Sequence, residues 1–556
     1  MTSHPRTQET VAQLVTEPLT VGVDFLLPDV ASPDQYSAWA PVLVQQTAWS
    51  TLDDPRGLES FGWQPRLHIE AFLQLTQLFC QQCRLPVFDT PKVVSIEKSS
   101  ANPNAYTLNF EIWSDQYLPR LVYRQAVHMA RELCDWIAQT PPTPDNTQRL
   151  FKTLMDQLIT PFSSYTGTGA STIPVLKAAH RLGIPFKHLS TGIYQIGWGS
   201  KARRLDRSSS ELDGAIGAKL AQNKVATANV LRQAGLPAPV QMLVATQNEA
   251  MDAAQQIGYS VVVKPLDRDR GVGVTLDVSS PEQLAAALDH ALASSKVKQA
   301  IVERQVPGTC HRLFIANDGL LYAVKRHPMS VSGDGRRTVR QLVDEAVARE
   351  RQLPPWLRSG LAPLDELAFA ELARAGLSAD SVPDKGAMVM LRRSESTQWG
   401  GIDEDMTAVV HPENARVAVQ AARVLGLAMA GVDLITTDIS VPWFANGAII
   451  NEINYAPLLG GAEISRSYLP AFFSAFIDGD GKIPIEVFVT EADALAFQRQ
   501  QIDQGRRCFY TDATRSRDHT GQEVVMALQT VKQRLRALLL SSDVDAIAVA
   551  MPEMAS

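Results

Sequence analysis

The chain has 556 residues, with 52 Lys and Arg against 59 Asp and Glu, so its formal net charge is −7. Hydrophobic residues make up 45%, charged residues 20%, and Gly and Pro number 33 each, which excludes collagen-like repeats and wholesale disorder. This acidic balance, without any cluster of Lys and Arg, predicts no nucleic-acid or membrane-surface partner.

The opening stretch, MTSHPRTQETVAQLVTEPL, has neither the basic start nor the apolar core of a secretory signal. The longest apolar runs, such as Tyr259–Val263, are too short to span a bilayer. The five cysteines are sparse and odd in number, which favours a reduced thiol pool over a disulfide framework. We therefore expect a cytoplasmic protein without a membrane partner.

The length predicts three or four domains at roughly 150 residues each. The alternating pattern of Ala105–Trp113 predicts a strand, and Leu121–Ile137 is typical of a helix. The proline-rich segment Thr140–Gln148 then indicates a boundary. We interpret residues 1–160 as an N-terminal α/β domain.

From residue 161 onward, predicted helices and strands alternate, which indicates an α/β or α+β enzyme body. We interpret 161–222 as a segment that leads into a central domain at 223–475. Within this region, Lys219–Ala234 is predicted to form one helix that ends at Gly235.

The segment Val261–Val278 reads as two β-rich runs around a turn that contains Gly271 and Gly273. Lys264 stands at the end of the first run. Glycines allow backbone N–H groups to approach phosphate oxygens, and the lysine would neutralise their charge. The alternative is an ordinary surface hairpin with a glycine turn.

The apolar strand in Ile301–Gly308 ends in a Glu and a turn, and its edge could offer backbone groups to an adenine ring with Val306 against the ring face. Arg312, Arg326 and Arg392 form a basic group, two of them at predicted strand ends. Their planar guanidinium groups suit phosphate or carboxylate oxygens, although solvated arginines at strand ends are common.

A third pattern joins Asp433 to Glu452 and Asn454. The last two are two residues apart in an apolar strand, so their side chains share one face. Asp433 fits a neighbouring antiparallel strand. Two carboxylates and an amide oxygen are hard ligands suited to Mg²⁺, and the alternative is a Glu on the solvent face of a strand.

The last part of the chain, 476–556, reads as a short α/β appendage. Ile485–Val489 and Val544–Val549 are predicted strands, and Gln522–Leu540 is a predicted helix because its apolar residues recur at helical spacing.

These motifs, in this order, resemble the ATP-grasp superfamily. The runs VVVKPLDRDRGVGVTL, AIVERQVPGTCHRLFI, AVKRHPMSVSGDGRRTV and INEIN are similar to the ATP-grasp domain of cyanophycin synthetases, from about residue 160 to 465. The region before residue 160 resembles the amino-terminal domain of that family more weakly. The resemblance implies an ATP-grasp fold, in which two α+β subdomains sandwich ATP, with an N-terminal α/β domain and the short C-terminal appendage.

The resemblance also implies roles for individual residues. ATP would be bound by Lys224 and Lys264, by the glycine loop at Gly271 and Gly273, and by the adenine hinge at Glu303 and Val306. Arg326 and Arg392 would act around the transferred phosphoryl group, and Asp433, Glu452 and Asn454 would hold Mg²⁺.

The implied activity is an ATP- and Mg²⁺-dependent carboxylate–amine ligase that forms an amide bond through an acyl phosphate. Its expected substrate is an amino acid or short peptide, and relatives of this kind form homo-oligomers. Two alternatives stay open: a catalytically inactive ATP-grasp-fold protein with a binding or scaffolding role, and a ligase with a thiol or hydroxyl acceptor.

The sequence departs from the family pattern in three places, one of which is Cys310, where related ligases often have an acid near the ribose. It contains no GxxGKT phosphate-binding loop of the Mur-ligase-like domain, so we do not expect alternating addition of two amino acids. The loop Ser394–Gly401 carries Gln398 and Trp399 where the family has a small, hydroxyl-rich loop, which predicts a different substrate.

Overall fold

The computed structural model describes residues 18–26, 37–44, 63–100, 105–115, 117–166, 169–268, 272–358, 363–392 and 401–552, with single positions 11, 14, 49, 58, 102 and 361. Gly271 and nearly all of the loop Ser394–Gly401 lie outside these described residues.

In chain order, the strands are β1 (Pro18–Leu26), β2 (Lys92–Lys98), β3 (Ala105–Trp113), β4 (Phe186–Ser190), β5 (Ile193–Ile196), β6 (Arg203–Asp206), β7 (Ser209–Ser210), β8 (Gln241–Val244), β9 (Val261–Pro265), β10 (Thr275–Val278), β11 (Ala300–Arg304), β12 (Thr309–Ala316), β13 (Gly319–His327), β14 (Ser330–Ser332), β15 (Met388–Met390), β16 (Ile402–Asp405), β17 (Met429–Thr436), β18 (Ile449–Tyr455), β19 (Ile485–Phe488), β20 (Cys508–Thr511), β21 (Ser516–Arg517) and β22 (Ala546–Ala550). The helices are α1 (Ala40–Leu43), α2 (Trp63–Gln82), α3 (Arg120–Ile137), α4 (Pro144–Leu154), α5 (Thr160–Phe162), α6 (Thr172–Arg181), α7 (Ala215–Ala221), α8 (Lys224–Gln233), α9 (Gln247–Ile257), α10 (Pro281–Ser294), α11 (Val339–Gln352), α12 (Glu366–Arg374), α13 (Pro412–Leu425), α14 (Trp443–Asn446), α15 (Glu463–Ser467), α16 (Leu469–Phe476), α17 (Glu491–Asp503) and α18 (Val531–Leu538).

The chain forms two compact units, one that combines residues 1–207 with 473–556 and one that comprises 208–472. The described strands form both antiparallel and parallel sheets, each with helices beside it, which confirms the predicted mixture of α/β and α+β structure. None of the described helices is both long enough and apolar enough to cross a membrane.

The amino-terminal sheet of the first unit has the strand order β1-β3-β2, with both pairs antiparallel. Along β3, Leu108, Phe110 and Ile112 are fully buried while the residues between them are partly exposed, as expected for a strand with one face in a core. Phe72 of α2 meets Phe110 edge-on, with 5.5 Å between the ring centroids. The predicted strand Ala105–Trp113 is therefore confirmed with the same bounds.

His68 of α2 is buried in this core, with its ring edge-on to Phe25 and its Nε2 atom 3.7 Å from Asp135 Oδ1. Burial lowers its pKa from 6.5 to about 4. Below pH 6.5 the unfolded chain therefore binds a proton that the folded chain does not bind until pH reaches about 4. We expect the first unit to lose about 3 kcal/mol of its free energy of unfolding across that interval.

This prediction is checked by urea unfolding at pH 7.5 and pH 5 in the wild type and in His68→Gln. The variant should lose most of the pH dependence, because glutamine does not titrate. His128→Gln is the matched control, since His128 is exposed on α3 beside Glu132. Equal pH dependence in wild type and His68→Gln would contradict the prediction.

The carboxyl-terminal part of the first unit contains a sheet of order β19-β22-β20-β21. β22 lies parallel to β19 and to β20, and β21 is an antiparallel edge strand. All residues of β22 are buried, which is typical of the central strand of a parallel sheet with helices beside it.

The predicted helix Gln522–Leu540 is wrong over its first half. The helix begins at Val531, because the Thr530 hydroxyl accepts a hydrogen bond from the backbone N–H of Gln533 and caps it there. Before this cap, the chain bridges back to β21 through Arg517 and Glu523.

The second unit contains two sheets that each have a helical layer on one face. The smaller sheet has the order β10-β9-β11-β8, and its residues Val261, Val263 and Val302 pack against α9 and α10. The larger sheet has the order β16-β13-β12-β17-β18, and its residues Leu313 and Val432 pack in one core with α13. Because side chains alternate along a strand, the neighbouring residues of each strand face away from these cores.

A third, two-stranded sheet joins β14 to β15 within the second unit. With α11 and α12 it has its own core, which includes Val331, Leu342, Leu372 and Val389.

The predicted single helix Lys219–Ala234 is wrong, because two helices, α7 and α8, occupy this segment. Asn223 lies between them with extended backbone and accepts a hydrogen bond from the N–H of Ala226. This side-chain cap competes with helix continuation and starts α8 at Lys224.

Candidate nucleotide and metal site

The outward face of the smaller sheet carries a buried ion pair. Lys264 of β9 lies opposite Ile301 of β11, and its Nζ is 2.8 Å from Glu303 Oε1 and 2.7 Å from Oε2. The Glu303 carboxylate also accepts a hydrogen bond, through Oε2, from Gln241 Nε2 of β8 at 2.7 Å. The Lys264 and Glu303 side chains are only 12% and 8% exposed, so this triad is held with little access to water.

Lys224 reaches the same hairpin from the start of α8. Its Nζ donates to the backbone carbonyl oxygen of Arg268 at 2.7 Å, and Arg268 lies in the turn between β9 and β10. The predicted strand–turn–strand over Val261–Val278 is confirmed, with β9 and β10 antiparallel. The two predicted ATP lysines therefore lie at one hairpin.

Gly273 is placed in this turn with a φ of +73°, a conformation that favours glycine. A Cβ atom there would lie 2.7 Å from Pro265 Cγ and from Ser294 Cβ. Packing of the turn therefore requires glycine at this position, whatever the turn binds. Val306 is partly buried in the connection between β11 and β12.

The outward face of the larger sheet carries a second, stronger pair. Arg312 of β12 lies directly opposite Asp433 of β17. Its Nε donates to Asp433 Oδ1 and its second terminal nitrogen to Oδ2, both at 2.6 Å, which is the fork geometry that arginine makes with carboxylates. Burial alone would lower the pKa of Arg312, but the Asp433 carboxylate raises it, so the guanidinium stays charged.

Glu452 lies across from Asp433 on the adjacent strand, as predicted, and Asn454 lies across from Gly431. Asn454 Nδ2 donates to Asp433 Oδ2 at 3.2 Å. Burial and then the Asp433 charge raise the pKa of Glu452, while Lys224, Arg312 and Lys264 act in the opposite direction. The charges of Lys224 at the start of α8 and of Lys264 in the smaller sheet thus reach Glu452 of the larger sheet.

A β-bulge sets the position of Glu452. Asp433 pairs with Glu452 but the next residue, Leu434, pairs with Ile450, so Asn451 is an additional residue in β18. The bulge lets both Ile450 and Ile453 face the core of the larger sheet, while Glu452 keeps the outward face opposite Asp433.

The two predicted catalytic arginines lie in different surroundings. Arg326 pairs with Asp403 across β13 and β16, with its Nε 3.7 Å from Asp403 Oδ1. Burial raises the pKa of Asp403, while Arg326 and Arg312 lower it, which links Arg326 to the Arg312 region. Arg392 follows β15 and donates to Asp365 at 2.8 Å, and no contact within the described residues joins it to the others.

Both arginines keep unused donor capacity. The Nε atoms of Arg326 and Arg392 are buried and make no hydrogen bond with any described residue. A buried N–H without a partner is costly, so these donors favour the approach of an acceptor.

The predicted metal ligands differ in their availability. Both oxygens of Asp433 already accept hydrogen bonds from Arg312, whereas Glu452 makes no hydrogen bond or ion pair with a described residue. Carboxylate oxygens are the donors Mg²⁺ prefers, and a cation would offset the mutual repulsion of these two acids. The residues fit a divalent cation, with Glu452 as the more accessible ligand. Groups of three or more His, Cys, Asp or Glu side chains that could hold a metal do not occur among the described residues.

Sequence reasoning does not single out Asp403 or Gln241, and for Arg312 it indicates only a group suited to phosphate or carboxylate oxygens. Arg312 stands out as basic, but its partner lies 121 residues later in the chain, so only the sheet register reveals the pair. Asp403 and Gln241 carry no motif and become visible only through β13–β16 and β8–β11 pairing.

The outward faces of the two sheets thus carry a lysine that suits phosphate oxygens and carboxylates that suit a divalent cation. The comparisons with known proteins agree. Residues 217–311 match the family model described as ATP-grasp domain.

The chain is 31% identical over 368 residues to the cyanophycin synthetase of Geminocystis herdmanii, covering 65% of this chain and 40% of that protein. It is 32% identical over 260 residues to the glutathione biosynthesis bifunctional protein of Mannheimia succiniciproducens, covering 44% and 33%. The crystal structure of a bifunctional glutathione synthetase from Pasteurella multocida is 24% identical, with 64% of this chain and 53% of that chain covered and a TM-score of 0.43.

The resemblance predicted from the motifs is therefore confirmed: residues 217–311 match an ATP-grasp domain model, and the chain is similar in sequence to cyanophycin synthetases. It spans about two fifths of the length of the cyanophycin synthetases it matches.

Proposed function

We propose that the chain is an ATP-dependent carbon–nitrogen ligase that activates a carboxylate and joins it to an amine. The observation that carries this proposal is that Lys224 and Lys264 act electrostatically on Glu452, beside Asp433. Triphosphate oxygens require cations, and the accompanying divalent ion requires carboxylates. The similarity to cyanophycin synthetases supports an amide-forming reaction on an amino acid or short peptide.

In this proposal Lys224 and Lys264 bind the phosphates, and Glu452, Asp433 and Asn454 hold Mg²⁺. The ion, when bound, would neutralise charge on the transferred phosphoryl group. Arg312 positions Asp433, and Oδ1 of that carboxylate keeps a lone pair for the ion because Arg312 Nε is its one hydrogen-bond donor among the described residues. The described turn at Gly273 and the partly buried Val306 would border the nucleotide.

The proposed chemistry has two steps. A substrate carboxylate oxygen attacks the γ-phosphorus and ADP leaves, and then an amine nitrogen attacks the acyl carbon and inorganic phosphate leaves with formation of an amide. The unused Nε donors of Arg326 and Arg392 support a role for both residues in binding the transferred phosphoryl oxygens.

The test incubates the full chain with ATP and MgCl₂ against a panel of amino acids and dipeptides, and measures ADP and phosphate. We expect one carboxylate to stimulate ADP release and to give a hydroxamate when hydroxylamine replaces the amine. Product mass separates an amide from an ester or thioester formed with a hydroxyl or thiol acceptor. ATP binding without turnover for every acceptor would favour the catalytically inactive binding or scaffold protein.

A further inference from the structure

A cavity of about 640 Å³ lies in the first unit, and all of its lining residues belong to that unit. Lys482 and Pro484 line it just before β19, Arg506 just before β20, and Asp545 just before β22. Three parallel strands therefore present their amino ends to this cavity. Ligands of open α/β sheets ordinarily bind at the carboxyl ends of the strands, so this cavity lies at the end of the sheet opposite to the usual binding position.

The opposite wall is the short 3-10 turn Gly199–Lys201 and the start of β6. Backbone hydrogen bonds fix this turn to the connection between α18 and β22, from Gly199 N–H to the Leu539 carbonyl at 2.9 Å and from Ser200 N–H to the Val544 carbonyl at 2.8 Å. A Cβ atom at Gly199 would lie 2.3 Å from the Val544 oxygen, so the close approach requires glycine. The cavity is therefore built from tightly joined segments.

The lining is charged and contains four cationic side chains. Lys201 and Lys482 make only long contacts with carboxylates, at 3.9 Å to Asp478 and 4.0 Å to Asp480. Such contacts between exposed side chains hold little energy.

The two guanidinium groups of the lining are not matched by acids. Arg203 donates to the carbonyl oxygen of Ala202 at 3.0 Å, and Arg506 donates to the side-chain oxygen of Gln501. Neither forms an ion pair with a carboxylate in the described part of the chain.

Asp545, the third acid of the lining, is already neutralised. Arg507 donates to it from Nε at 3.0 Å, and this contact is the main reason that its pKa is lowered to about 2. The lining thus holds four cations and three carboxylates, and two of the cations, Arg203 and Arg506, form no ion pair with a described residue.

We propose that this cavity binds a small multivalent oxyanion, with phosphoryl or carboxylate groups, through Arg203 and Arg506, with Lys201 and Lys482 as further cations. Guanidinium forks match such oxygens in pairs. Ile483 and Pro484 are the only apolar members of the lining, which leaves little surface for an aromatic base or an acyl chain. The site is independent of the proposed ligase reaction.

A different explanation is that these cations balance helix ends. The carboxyl ends of α17 and α18 precede Arg506 and Asp545 in the chain, and helix carboxyl ends carry partial negative charge. In that case the arginines would stabilise the fold without binding an anion, and added anions would not raise the unfolding temperature beyond the effect of salt.

The experiment measures thermal unfolding of the full chain with inorganic phosphate or succinate at constant ionic strength, with NaCl as reference, and isothermal titration with whichever anion stabilises. Arg203→Gln/Arg506→Gln should bind about tenfold more weakly for each guanidinium lost. Arg499→Gln, exposed on α17, is the matched control and should bind as wild type. The two anions distinguish a phosphoryl from a carboxylate ligand.

Three outcomes would overturn the proposal: no stabilisation beyond NaCl, equal binding by the double variant, or loss of binding when Lys264→Met and Glu303→Gln are combined in a folded chain, which would assign the anion to the nucleotide site. If the double variant does not fold, Lys482→Gln, an exposed position, should still bind several-fold more weakly. Wild-type affinity in that variant would equally refute the site.

Discussion

The Glu452→Ala variant is expected to lose ATP turnover by about two to three orders of magnitude, because the transferred phosphoryl group would lose metal-based charge neutralisation. The substitution should not destabilise the folded state. Burial and Asp433 raise the pKa of Glu452 above its ordinary 4.5, so at neutral pH the ionised carboxylate destabilises the folded state. The steady-state rate of ADP release should therefore fall, while the temperature of thermal unfolding should rise.

Glu452→Gln has the same shape without the charge and should behave like the alanine variant in turnover while unfolding at a higher temperature than wild type. Glu413→Gln provides the control, since Glu413 pairs with Arg416 on the surface of α13 at 2.6 Å. Near-normal turnover in Glu452→Ala would remove this residue from the proposed metal site.

Lys264→Met is expected to weaken ATP binding by about tenfold or more and to slow turnover, because a charge-assisted contact to phosphate is lost. The substitution also leaves Glu303 buried without its cation, and removing one partner of a buried pair costs about 3–5 kcal/mol. A loss of binding in this variant alone would therefore not separate ligand contact from instability.

The double variant Lys264→Met/Glu303→Gln separates the two effects. Removal of both charges should restore most of the free energy of unfolding, with Gln241 still beside residue 303, while ATP affinity measured by titration calorimetry stays low. Lys296→Met, an exposed lysine of the same sheet region, is the matched control. Unchanged ATP affinity and rate in the double variant would refute the role of Lys264.

Local patterns predicted much of the candidate site. The two-residue spacing of Glu452 and Asn454 places both on one strand face, and the structure has them so, flanking the core residue Ile453. The glycine turn between two β-rich runs is also predicted from the sequence, because the alternation of apolar and polar residues and the choice of turn residues act over short distances.

What could not be predicted depends on contacts distant in sequence. The partner of Arg312 is set by strand order, which no local pattern reveals. Likewise, whether the segment after residue 476 packs on the rest of the chain stayed open, and the structure joins it to the first unit through contacts such as Gln195 Nε2 with the Leu539 carbonyl at 2.8 Å. The predicted helix bounds were also wrong at two places, because the side chains of Asn223 and Thr530 cap helices that begin at the next residue.

The additional residue Asn451 has a consequence for how this site can vary. The connection between β17 and β18 can lengthen or shorten without moving the acids, and removal of the bulged Asn451 would leave Glu452 paired with Asp433 in a regular ladder. A deletion of Ile453 would instead put Glu452 and Asn454 on opposite faces and turn Glu452 towards the aliphatic layer beneath the sheet. A carboxylate there would be desolvated and useless to a cation. Homologues should therefore be aligned by strand face rather than by counting positions between the two acids, because a chain that lacks the bulge residue still places its glutamate opposite the aspartate.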